Sequence, residues 1–225
     1  SFKHDRSHGW QQNSERYLSA DAPETEPTLV PTSNGYRSNV VDQMFTYAPN
    51  QKLSFYGNGG YHWKLTDRPG TQDDIKGGYT YDIHYESFKF GLGGEYKLND
   101  KSNITLSLMN DNYNQNYKYI REVSDFKIGD YDKTKSQKFY DAELKGVFKF
   151  TENSTSVFGT NYRSETLDRP SANVDEEVYT ASVYGQHEVR LWDHFTAIAG
   201  LRYDYHETAK GRLTPKFSAM YSLNN

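Results

Sequence analysis

The sequence predicts an all-β protein, an antiparallel transmembrane β-barrel of which about ten strands are present. Three observations carry that reading. Apolar and polar residues alternate with period two over segments of roughly 12 to 18 residues, against a mode of about 5 to 6 in globular sheets. Short and long connections between the segments alternate, and aromatic residues crowd the segment ends.

The opening segment, Ser1 to Gln11, reads as part of a strand, and the next approaches its turn through Phe45 and Tyr47. From Leu53 the residues Leu53, Phe55, Gly57, Gly59, Tyr61, Trp63 and Leu65 share one face, with Ser54, Tyr56, Asn58, Gly60, His62 and Lys64 on the other. The division recurs with Phe88, Phe90, Leu92, Gly94 and Tyr96 against Lys89, Gly91, Gly93 and Glu95. Ile104, Leu106 and Leu108 then give way to Asn110, Asn112 and Asn114, as a strand leaving lipid for water requires. Tyr140, Ala142, Leu144, Gly146, Phe148 and Phe150 oppose Asp141, Glu143, Lys145, Val147 and Lys149. Phe195, Ala197, Ala199, Leu201, Tyr203 and Tyr205 oppose Thr196, Ile198, Gly200, Arg202, Asp204 and His206.

Short turns fall near 48–51, 98–101, 151–153 and 192–194, and long polar connections near 19–34, 66–78, 122–134 and 168–175. Outer-membrane barrels place short turns on the periplasmic side and long loops outside, so residues 1–225 read as one part of such a barrel domain. The aromatics beside the short turns, Phe45, Tyr47, Tyr96, Phe148, Phe150, Trp192, Phe195 and Tyr221, then form an interfacial girdle.

Composition narrows the function. Of 225 residues 35% are hydrophobic, yet 20 are Tyr, 12 Phe and 3 Trp, and the formal net charge is −4. No apolar run is long enough for a membrane helix. The absence of cysteine excludes disulfides, thiolate metal sites and a catalytic thiol, and the balanced charge gives no reason to expect nucleic acid. Gly57 to Gly60 and Gly91 to Gly94 sit inside strand patterns, without the following Lys-Ser/Thr or the helix that a phosphate or dinucleotide site needs. No Ser-His-Asp or paired-carboxylate arrangement stands out, so no enzyme is expected.

The words Gly200-Leu201-Arg202-Tyr203-Asp204-Tyr205-His206 and Leu213-Thr214-Pro215-Lys216-Phe217 resemble the mid-barrel hairpin of TonB-dependent outer-membrane receptors, in which a GLRYD-like strand meets a TPK-like strand. Tyr184 to Leu191 looks like the strand before it, with His187 where the family usually has Asp. The resemblance implies a 22-stranded barrel with a plug domain in its lumen. This chain would then be a portion of the wall, without the plug, the TonB-contacting segment or the closing strand. It also implies the bacterial outer membrane, outer-membrane lipid and the inner-membrane TonB complex as partners, with a surface lipoprotein as a further one, and active import of a bulky scarce nutrient. Haem or an iron–siderophore complex is the first expectation. Cobalamin or a glycan is the alternative substrate, and a plugless porin or adhesin the alternative function.

For ligand contact the candidates are His206, His8, Trp10, Tyr79, Tyr81 and Tyr119, since imidazoles ligate iron and aromatic tips suit a macrocycle or a catechol. Exposed strand ends and loop packing explain the same residues without a ligand. Calcium in the loops is a further expectation, on Asp73, Asp74, Asp130 and Asp132, although their spacing is not that of a regular calcium loop. Lys89, Glu95, Glu143, Lys145, Gln186, Glu188 and Arg202 fall on the lumen-facing parity, where the plug would sit.

Overall fold

The computed structural model describes residues 1–8, 11–13, 31–33, 35–67, 80–192 and 194–223. β1 (Phe2–Ser7) is followed by a small hairpin, β2 (Gln11–Asn13) with β3 (Pro31–Ser33). Then come β4 (Tyr36–Tyr47), β5 (Leu53–Thr66), β6 (Tyr81–Asn99), β7 (Ser102–Tyr119), β8 (Tyr131–Thr151), β9 (Ser154–Arg169), β10 (Val174–Leu191), β11 (Phe195–His206) and β12 (Lys210–Tyr221). Apart from the hairpin, these strands make one antiparallel ten-stranded sheet in chain order, and the sheet is not closed.

Directly opposed residues of an antiparallel pair share a face, so the register assigns every strand side chain. One row runs Phe55, Gly94, Leu106, Leu144, Thr160, Val183, Tyr203, Leu213. The row beside it, on the other face, runs Ser54, Glu95, Thr105, Lys145, Gly159, Tyr184, Arg202, Thr214. The apolar face has no cover: Leu106 is 47% exposed, Leu144 46% and Val183 57%. Among the described residues only Leu65 and Tyr119 are buried hydrophobic side chains. A water-soluble sheet would bury such a face at about 25 cal/mol per Å² gained, so this one requires an apolar surrounding.

Aromatic rings bound the apolar face at both edges. At the short-turn edge Phe148 lies 6.4 Å from Phe150 and 6.3 Å from Phe158, and Trp192 lies 6.4 Å from Phe195. At the other edge Tyr162, Tyr179 and Tyr205 form a chain of rings with 6.1 Å spacings. Phe195 to Tyr205 on β11 is about 34 Å of strand, which at a tilt of roughly 35–45° covers the ~25 Å apolar band of a membrane barrel. The register shows the tilt itself. Phe88 marks the upper edge on β6, but its row reaches Lys138 on β8 and Glu177 on β10. The edge has by then stepped down to Tyr140, and by β11 to Tyr205, a drop of about 13 Å over ~24 Å of sheet, or about 30°.

Several strand glycines make room for rings. A Cβ on Gly93 would come within 2.0 Å of the Tyr56 ring, on Gly57 within 2.2 Å of Phe45, and on Gly159 within 2.4 Å of Tyr184. Within the two glycine runs Gly57, Gly93 and Gly94 seat rings while Gly60 and Gly91 face Asp42 and Asn58, and both runs lie inside paired strands, so they are not phosphate loops.

Two connections differ from the sequence expectation. The 168–175 loop shrinks to a 3-10 turn at Pro170–Ala172 with Asn173 at φ 52°, because the β9–β10 register continues to Arg169 opposite Val174. The 122–134 loop ends earlier, since β8 begins at Tyr131 and passes a bulge opposite Gln115 and Asn116. The first strand stops at Ser7, and Gln11 belongs to the small hairpin.

Candidate functional site

The connections after β1, β5, β7 and β9 lie at one end of the meander, and those after β4, β6, β8 and β10 at the other. At the first end the strands overrun the apolar band, and there the polar face carries two clusters and the outward, apolar-parity face a third.

The first is aromatic. The register sets Tyr81 opposite Tyr119 and Ile83 opposite Tyr117, so their side chains share the polar face. Tyr81 stacks on Tyr117 at 3.8 Å and meets Tyr119 edge-on at 5.9 Å, while Tyr119 stacks on Phe126 at 4.3 Å. Phe126 is brought in by the 120–130 loop, which folds on a Val123–Phe126 bridge and on Lys127 N–H donating to Asp130 Oδ2 at 2.8 Å. Burial first, then the Asp132 carboxylate and Tyr117, push the Tyr119 phenol up, so it stays a neutral donor. Lys135 stands over Tyr113 at 5.9 Å on the same face.

The second is an open hollow of about 240 Å³ on β9, β10 and β11, lined by Asn161, Arg163, Glu165, Val178, Thr180, Arg202 and His206. Arg163 Nε donates to Asp141 Oδ2 at 3.2 Å, with the guanidinium 5.0 Å over Phe139. Arg202 donates through Nε to Asp204 at 2.7 Å and through Nη2 to Ser182 Oγ at 2.8 Å. His206 Nδ1 accepts the backbone N–H groups of Thr208 at 3.1 Å and Ala209 at 3.2 Å, which closes the β11–β12 turn. Backbone amides can only donate, so the neutral ring carries its proton on Nε2. His206 thus offers the hollow an N–H donor; to bind iron through Nε2 it would have to give up the tautomer that holds the turn.

The third is a hollow of about 310 Å³ lined by Arg6, Ser7, His8, Tyr36, Arg37, Leu65, Asp67 and Asp82. Burial, and after it Asp67, push the Asp82 carboxyl up. His8 therefore lies among mixed charges on the opposite flank of the sheet from His206. Trp10, Tyr79, Asp73 and Asp74 lie outside the described residues. Asp130 is engaged by the loop backbone, and no group of three metal-ligating side chains converges among the described residues.

Below these clusters Lys89, Glu95, Glu143, Lys145, Gln186 and Glu188 all fall on the polar face, as does Arg202 of the second hollow. Tyr184 donates to Glu143 at 2.8 Å, Lys216 to Gln186 at 3.1 Å, and Lys89 lies 3.6 Å from Asp111. At the short-turn rim Lys101 and Lys149 clasp Glu152 at 2.6 and 2.7 Å and draw its carboxyl from 4.5 down to about 2. The folded state then holds that proton less tightly than the unfolded chain. The clasp is complete above about pH 4.5 and is lost as the pH falls toward 2. Glu152→Gln should remove this acid response from hydrogen exchange at the two turns, and high salt should blunt it in the parent because the group is exposed.

Sequence reading missed Arg163, which parity marks only as one more polar-face residue. It also singled out no Ser–His pair, yet Ser156 Oγ lies 2.7 Å from His187 Nδ1 on the neighbouring strand. Ser156 is only 3% exposed, and the second ring nitrogen faces Ser154 at 3.4 Å and no carboxylate. The pair satisfies hydroxyls on the apolar face and has no group to orient it for catalysis.

Solved structures share this architecture. A ferric enterobactin receptor mutant (PfeA, G324V) from Pseudomonas aeruginosa superimposes with a TM-score of 0.70 at 14% identity, covering 90% of this chain and 33% of that one. The siderophore receptor PirA from Acinetobacter baumannii gives 0.68 at 13% identity over 86% and 32%. The outer membrane transporter YddB from Escherichia coli gives 0.58 at 11% over 87% and 31%. The chain thus spans about a third of the length of these proteins. No curated protein matches the sequence. The family described as TonB dependent receptor-like, beta-barrel matches residues 9–225, and its members, like these neighbours, are receptors and transporters, not enzymes. The two-faced sheet, its aromatic edges and this match give one conclusion: the chain belongs to the TonB-dependent receptor β-barrel family.

Proposed function

We propose that this chain is part of the outer-membrane wall of a TonB-dependent importer whose cargo is an iron chelate of the siderophore type. The observation that carries the reading is the shared placement of the Tyr81–Tyr117–Tyr119–Phe126 cluster and the Arg163–Arg202–His206 hollow on one polar face at one end of the strands. Aromatic faces and fixed N–H donors suit an anionic aryl chelate that carries its own iron ligands. Haem would instead need a ligand lone pair from the wall, and His206 Nδ1 is committed to its turn. A ferric enterobactin receptor is among the structural neighbours and has been solved holding enterobactin. The rest of the polar face, from Lys89 to Glu188, is suited to packing a plug.

The test is uptake by iron-starved cells that carry the full-length protein as their one receptor, supplied in turn with a ferric catecholate, a ferric hydroxamate, haem or cobalamin. The expected result is TonB-dependent uptake of a ferric chelate. Uptake of haem or cobalamin alone would overturn the cargo assignment.

A further inference from the structure

The hollow on β9, β10 and β11 carries one charge that the fold leaves uncompensated. Arg163 is held by Asp141 and Arg202 by Asp204, and His206, accepting at Nδ1, presents only an N–H from Nε2. Asn161 spends its amide N–H groups on Asp141 and on the Ala142 carbonyl. That leaves Glu165, an exposed member of the same lining with no hydrogen bond or ion pair among the described residues. The register explains its isolation. Glu165 stands one same-face step nearer the long-connection end than the row of Arg163, Thr180 and His206. Its direct cross-strand neighbours are Phe139 and Val178, its diagonal ones Gln137, Asp141, Glu176 and Thr180, and none is a cation. The cation on its own strand, Arg163, lies over Phe139 and bonds Asp141.

We infer that Glu165 makes the hollow select a chelate arm that carries a free, protonated amine. The inference rests on the siderophore reading above and narrows its cargo to aryl chelates whose linker is an amino acid or a polyamine. At about 240 Å³ the hollow admits one arm and not a whole chelate, since pockets that enclose a drug-sized ligand run to roughly 300–1,000 Å³. The two arginines and His206 offer N–H donors to the carbonyl or phenolate oxygens of such an arm. Glu165, at the lip, takes the ammonium, with the Thr180 hydroxyl diagonal to it as a second acceptor. Selection comes from loss as much as from gain. An arm that fills the hollow without bringing a donor strips water from a carboxylate that has nothing else to bond, and binds more weakly for it. A metal ion in place of the ammonium lacks ligands, because no group of three metal-ligating side chains converges among the described residues.

The test is equilibrium binding to the purified full-length receptor of two ferric tris-catecholates built on one scaffold, one with a primary amine on its linker and one with that amine acetylated. The parent should bind the amine form about tenfold more tightly, the size of one charge-assisted hydrogen bond, and added salt should shrink the difference because the hollow is open. Glu165→Gln should bring the two forms to within about twofold of each other by weakening the amine form alone. Unchanged binding of the acetylated form then shows that the variant is folded. Glu165→Lys should reverse the preference. Equal binding of the two forms by the parent, or an undiminished preference in Glu165→Gln, would overturn selection by Glu165 and leave the siderophore reading standing. Binding of haem or cobalamin with neither catecholate bound would overturn the siderophore reading itself, and this inference with it.

Discussion

Leu106→Arg should destabilise the membrane-inserted barrel by about 2–4 kcal/mol, whereas Ser107→Arg, one residue along, should change stability by less than ~1 kcal/mol. Leu106 lies mid-band on the apolar face, between Gly94 and Leu144. An arginine there must either be desolvated in hydrocarbon or distort the strand to reach the headgroups. Ser107 points to the polar face opposite Glu143, where a guanidinium gains a carboxylate neighbour. Urea unfolding of the full-length protein in lipid vesicles, followed by tryptophan fluorescence, measures both changes. Equal costs at the two positions would mean that the faces do not separate lipid from water.

Arg163→Ala and Arg202→Ala should each weaken ferric catecholate binding by about tenfold or more, and the double change by roughly a hundredfold, at 1.5–3 kcal/mol per hydrogen bond to a charged group. Both guanidiniums are held in place by other contacts: Arg163 by Asp141 and Phe139, Arg202 by Asp204 and Ser182. They therefore meet a ligand with little further loss of side-chain freedom. Arg163→Lys keeps the charge but not the planar fork, and should fall between parent and alanine. His206→Ala removes one neutral donor and should cost only a few-fold. Equilibrium binding to the purified full-length receptor separates these cases. A haem site would instead lose most affinity with His206 and little with the arginines.

Much of this architecture is legible in the sequence, because a strand's period of two writes its faces directly into the residue order. The faces of Leu53 to Leu65 and of Phe195 to His206 follow from parity alone, and the aromatics beside the short turns mark one edge of the band. The second edge is not legible. Tyr162, Tyr179 and Tyr205 meet only through the register of three strands, and strand tilt is likewise a property of register. Turn length was misjudged at 168–175, where polar residues suggested a loop but cross-strand pairing continues to a tight 3-10 turn. Site chemistry was half legible. Parity put Arg202 and His206 on the polar face, but it could not show that Arg163 lies beside them or that His206 Nδ1 is taken by its own turn. Ser156 and His187 meet across strands on the apolar face, a pairing for which the linear order gives no signal.

The sequence has no cysteine, so single cysteines can be placed along β10 of the full-length receptor without background. The decisive measurement is their reactivity from 178 to 189 toward a membrane-impermeant thiol reagent in intact outer membranes, with and without ferric catecholate. The account predicts that 178 and 180, whose native residues line the hollow, react and are protected by the chelate, that even positions nearer the short turns react less because the plug packs against them, and that odd positions are shielded by lipid. Reactivity without a period of two, or chelate protection on the odd face, would contradict it.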